Sequence, residues 1–134
     1  MKRLFCVILA LIVCMGMLAG CAKKPTPLPP MEEIPRRIGP DPYLHSEEDP
    51  IPSKKLTQET FELLVNDMTL ETVEMILGKG QWTEACKRYD GTLEVYYEWA
   101  GLNGERLKLE FWGDRLQSVT SFQGLTVDSL SLIR

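Results

Sequence analysis

Leu93-Glu94-Val95-Tyr96-Tyr97-Glu98-Trp99 is the stretch that decides the fold. Leu93, Val95, Tyr97 and Trp99 alternate with Glu94, Tyr96 and Glu98, and a period of two is that of a strand with one face in the core. Asp90-Gly91 precedes it as a hairpin signal and implies an earlier strand near Trp82 to Arg88. Asn103-Gly104 leads into Leu107, Leu109 and Phe111, which alternate with Arg106, Lys108 and Glu110. Gly113-Asp114 is a third turn, before a last strand of about Arg115 to Phe122 whose looser pattern suggests a bulge.

Upstream, the apolar spacing is helical. Thr57 is placed to cap a helix from Gln58 to about Val65, with Leu56 and Phe61 at hydrophobic-staple spacing and Phe61, Leu64 and Val65 on one face. Asn66-Asp67 tolerates the left-handed exit. The start signal then repeats: Thr69 caps, Met68 and Val73 staple, and Val73, Ile76 and Leu77 form the stripe that Gly78 and Gly80 end. The expected fold is therefore α+β, with two N-terminal helices packed on a three- to four-stranded antiparallel meander.

Before this region the composition shifts. All nine prolines lie between Pro25 and Pro52. Proline removes a backbone donor and fixes φ, so the segment reads as a linker favouring extended polyproline II. At about 3.1 Å per residue, Ala22 to Lys55 would reach on the order of 100 Å. Ile34, Tyr43, Leu44 and the lone His45 read as scattered residues of this stalk.

At the start, Lys2 and Arg3 precede an uncharged apolar run that ends in Leu18-Ala19-Gly20-Cys21. A basic start, an apolar middle and small residues before a cut make a secretory signal. The last four residues resemble a bacterial lipobox, which implies that Cys21 becomes the acylated first residue of the mature chain. The competing reading is an uncleaved helix, since about 18 apolar residues can just span a bilayer. Lys23 and Lys24 would then flank its outer side, the less favoured one for Lys and Arg. The expected organisation is a signal peptide over 1–20, the lipid-anchored cysteine and proline-rich linker over 21–55, and the folded domain over 56–134. The domain would face the periplasm or the cell exterior, an outer-membrane address being compatible with Ala22.

Loss of Lys2 and Arg3 takes the formal charge from −4 to −6, which argues against nucleic acid as a partner. With Cys21 acylated, Cys86 has no intramolecular partner. It reads as a small buried hydrophobe, the alternative being an intermolecular disulfide.

Asp67-Met68-Thr69-Leu70-Glu71-Thr72-Val73 with Ile76-Leu77-Gly78 resembles the signature of the SmpA/OmlA (BamE-type) lipoproteins, and the helix-plus-sheet unit is similar to β-lactamase-inhibitor-protein repeats. Asp67 stands where that motif has glycine, and Gly78-Lys79-Gly80 stands where it has Gly-x-Pro. The resemblance, over roughly Leu56 to Leu125, implies a binder of other proteins. One kind assists outer-membrane protein assembly, and the other inhibits or senses an envelope enzyme such as a β-lactamase-type hydrolase.

The folded region contains no nucleophile–base pair, no metal-ligand spacing and no phosphate loop, so neither an enzyme nor a cofactor is expected. Glu94, Glu98 and Glu110 read as a solvated row paired with Arg106 and Lys108 across strands. Tyr96 and Trp112 interrupt that charged pattern. With Arg106 and Lys108 they form the candidate protein-binding surface, since Tyr, Trp and Arg supply most interface hot spots. The expected protein is a membrane-anchored, non-catalytic module that meets another envelope protein.

Overall fold

The computed structural model describes residues 24–127. Cys21 and the apolar run before it, and the last seven residues, lie outside the described part. No helix among the described residues is long and apolar enough to cross a membrane.

Five antiparallel strands form one sheet in sequence order: β1 (Leu44–His45), β2 (Gln81–Lys87), β3 (Leu93–Ala100), β4 (Arg106–Trp112) and β5 (Arg115–Gln123). Two short helices, α1 (Gln58–Phe61) and α2 (Leu70–Leu77), lie between β1 and β2. This corrects the expected fold. The described residues are mostly sheet, of five strands rather than three or four, and their two helices are too short to form the expected helical layer.

The reason is local. Thr57 does cap α1, and its hydroxyl and that of Thr60 close a reciprocal box. Leu63 and Leu64 then donate to carbonyls three residues back, a tighter turn than the α-helix allows. The chain leaves the helix there, so Leu64 is buried while Val65, expected beside it, is exposed. Asp67 takes φ 70°, donates its N–H to the Leu116 carbonyl and accepts Arg115 Nη1 at 3.1 Å. Thr69 caps α2, accepting the Thr72 amide at 3.1 Å. Gly78 ends α2 at φ 85°. Gly80 is needed for another reason: a Cβ there would sit 2.6 Å from the Trp99 ring, whose Nε1 donates to the Gly78 carbonyl.

The proline-rich segment is not a free stalk. Ile34 is 2% exposed, and Leu44 and His45 pair with Ala85 and Glu84. The prolines are accommodated because neighbouring residues supply the donors. Lys87 donates to the Pro35 carbonyl, Arg37 donates to the Lys87 carbonyl, and Ser53 donates to the Ala100 carbonyl. Trp82 Nε1 donates to the Pro27 carbonyl at 3.1 Å, and the Thr26 amide to Gln81 Oε1 at 3.0 Å.

One sheet face is thus covered by two packings. Over β3 to β5, Phe61, Leu64, Val73 and Leu77 meet Trp99, Leu107, Leu109, Phe111 and Leu116. Over β2 and β3, Ile34 and Leu28 meet Trp82, Ala85 and Val95. Tyr97 packs against both. The β4–β5 register shifts twice, at Lys108/Leu109 and Glu110/Phe111, which explains the loose period of the last strand.

Candidate binding face

The opposite face carries the polar half of the alternation. Register sets Glu94 beside Cys86 and Trp112, Tyr96 beside Glu84 and Glu110, and Glu98 beside Lys108. Tyr96, Arg106, Lys108 and Trp112, the four residues expected to form the surface, therefore share this face.

Each is held by a neighbour. Arg106 Nη2 and Nε donate to Glu98 Oε1 at 2.6 and 2.9 Å. Lys108 Nζ donates to Glu84 Oε1 at 2.7 Å and lies 5.5 Å from the Tyr96 ring centroid. Trp112 Nε1 donates to Glu110 Oε1 at 2.8 Å, and Ser118 Oγ donates to Glu110 Oε2. The Arg88 guanidinium stacks 3.7 Å from the Trp112 ring centroid. Glu98 thus has its expected partner in Arg106, whereas Lys108 reaches across β3 to Glu84 on β2.

Glu94 departs most from the expected solvated row. It is 1% exposed and takes four donors: Arg37 and Arg88 on Oε2 at 3.3 and 3.2 Å, and the Tyr43 and Tyr96 hydroxyls on Oε1 at 2.8 and 3.0 Å. Such saturation allows a carboxylate to be buried. The Tyr43 and Tyr96 rings meet edge to face, 5.7 Å between centroids. Burial first, and the hydrogen bond to Glu94 next, push the Tyr43 phenol up to about 12. Burial also pushes the Tyr96 phenol well above its ordinary value. Two of the four donors, Arg37 and Tyr43, come from the segment expected to be a stalk, so local patterning around β3 carried no sign of this anchor.

Cys86 is buried beside Glu94, and burial raises its thiol pKa. It follows the buried-hydrophobe reading. His45 is exposed and bonded to Asp41 Oδ1 at 3.0 Å. Among the described residues no group of three or more His, Cys, Asp or Glu side chains could hold a metal ion. The face carries aromatic and cationic side chains with their counter-charges already in place. No protein-family model, curated protein or solved structure matches this chain.

Proposed function

We propose that this chain is a lipid-anchored protein of the bacterial envelope, tethered by acylated Cys21, whose open sheet face binds another envelope protein without catalysing a reaction. The observation that carries the binding half is the ion-paired setting of Tyr96, Arg106, Lys108 and Trp112 on one face. Side chains already fixed by neighbours lose little rotamer freedom on association, which is how preorganised surfaces gain affinity. Trp112, at 36% exposure and stacked under Arg88, is the aromatic anchor of the patch. The anchoring half is supported by the run that ends in Leu18-Ala19-Gly20-Cys21 after Lys2 and Arg3.

Two measurements test the two halves separately. Cys21→Ser should move the protein from the membrane to the soluble fraction, and a variant that stays membrane-bound at unchanged mass would favour the uncleaved helix. A photocrosslinking amino acid placed at Trp112 or Lys108 in cells should give a discrete adduct with one protein, absent when it is placed at Met75, an exposed position on α2. Equal adducts from all three positions, or none, would refute the binding face.

A further inference from the structure

The apolar side of the sheet is incompletely closed. Between the N-terminal segment and the end of α2 lies a groove of about 560 Å³, lined by Leu28, Trp82 and Tyr97 together with Lys24 and the paired Lys79 and Glu74. Its walls are fixed by contacts already described: Trp82 is held to the Pro27 carbonyl, and Thr26 is held to Gln81. Lys79 is held to Glu74 at 2.8 Å. Burial first, and Glu74 second, push the Tyr97 phenol up to about 12, which marks surroundings poor in water. The volume falls within the range of about 300–1,000 Å³ typical of small-molecule sites.

The occupant follows from where the groove lies along the chain. Lys24 lines it and stands three residues after Cys21. Three residues span at most about 11 Å. An acyl chain on Cys21 would start within reach of the groove's Lys24 end, where Lys24 could meet a polar linkage and the aromatic lining could meet the hydrocarbon, Lys79 being already paired with Glu74. We propose that the groove holds one acyl chain carried by Cys21, so that the lipid is shared between the bilayer and the domain and fixes the domain's orientation at the membrane. This rests on the lipoprotein reading of Cys21. The groove is open on one side, so it recovers part of the apolar burial that the bilayer offers, and the two compete for the chain.

The test uses the full-length protein, purified from cells fed a diazirine-bearing palmitate and reconstituted in unlabelled vesicles of phosphatidylethanolamine and phosphatidylglycerol. Intact mass reads acylation at Cys21, and irradiation followed by proteolysis reads where the chain lies. The expected result is an acylated Cys21 with crosslinks on peptides bearing Leu28, Trp82 or Tyr97 and none on the exposed Tyr89. Leu28→Glu should lower groove crosslinks about tenfold, because a carboxylate on an apolar wall must be desolvated, while leaving the Cys21 mass unchanged. Should circular dichroism show that variant unfolded, Thr26→Glu, at an exposed lining position, takes its place with the same expectation. Acylated Cys21 with crosslinks confined to vesicle lipid overturns the groove and leaves the anchor standing. A Cys21 without acyl mass overturns both.

Discussion

Glu94→Gln should cost about 2–3 kcal/mol of folding stability and loosen the N-terminal segment in particular. Removing one member of a buried charge pair costs about 3–5 kcal/mol when the other charge stays buried. Here the side chains of Arg37 and Arg88 keep 43% and 25% of their exposure. Both can regain water, which places the expected cost below that range. The amide preserves volume and one acceptor. Its single NH2 replaces one oxygen and so sets N–H donors against either the two guanidinium groups on Oε2 or the two hydroxyls on Oε1. For a domain of this size about 1 kcal/mol corresponds to roughly 4 °C, so the melting temperature should fall by about 10 °C. Arg37 and Tyr43 lie on the segment that precedes the helices, so trypsin should cut after Arg36 or Arg37 sooner than it cuts in β3 to β5. Urea titration gives the global cost, timed proteolysis the local one, and Tyr43→Phe in a double-mutant cycle the coupling across Glu94 Oε1. Glu71→Gln, at an exposed position on α2, is the control. A loss below about 0.5 kcal/mol, the range of ordinary surface changes, would refute the reasoning that this carboxylate anchors the segment.

Asp67 occupies φ 70°, so Asp67→Gly should be neutral or stabilising by up to about 1 kcal/mol. Asp67→Ala should destabilise by about 1 kcal/mol, both read from urea midpoints. The buried, raised-pKa thiol of Cys86 should resist a thiol reagent in the native protein and react at once in urea, with native dimerisation through a disulfide counting against its burial. At alkaline pH the sign follows from the tyrosines. Tyr43 and Tyr97 are raised to about 12 in the fold, so the folded state holds their protons longer than the unfolded chain does. Their contribution is fully present below about pH 10 and is lost as pH rises through about 12. Stability should decline across that window, and in a Tyr89→Phe variant, which removes the exposed phenol, phenolate absorbance should climb together with unfolding rather than before it.

The sheet was legible where one strand carried its own evidence. Leu93 to Trp99 and Leu107 to Phe111 alternate cleanly because one face packs into the core and the other is polar, and the turn dipeptides between strands mark the reversals. Both cap threonines were legible as well, since a cap is a contact between residues three apart. What the sequence concealed was long-range. β1 is two residues long, too short for any period, and it forms only because β2 offers an open edge. Ile34 and Leu28 look like isolated apolar residues among prolines until Trp82 and Ala85 provide something to bury against. Glu94 shows the same limit in the site. Its alternation placed it on the polar face correctly, yet its burial depends on Arg37 and Tyr43, more than fifty residues away. α1 fails in the other direction: the apolar spacing of Leu64 and Val65 supported a longer helix, and contacts with the sheet ended it after Phe61.

The packing of the proline segment changes what the anchor can mean. An extended stalk from Ala22 to Lys55 would have let the domain search on the order of 100 Å from the membrane. With Lys24 already on the domain, Cys21 is separated from it by at most about 11 Å of chain, whatever the path of the two intervening residues. A lipid on Cys21 would therefore hold the domain against the membrane surface. That restriction raises the effective concentration of any partner confined to the same surface and excludes partners that must be reached at a distance. It also predicts how distance should matter. Inserting about 30 Gly/Ser residues between Ala22 and Lys24 would add an r.m.s. reach of roughly 30 Å and leave the fold intact. Crosslinking from Trp112 to a membrane-confined partner should then drop several-fold, since effective concentration falls as the tether lengthens. Unchanged crosslinking would mean that the partner reaches well away from the membrane, and that the short tether is not what brings the two together.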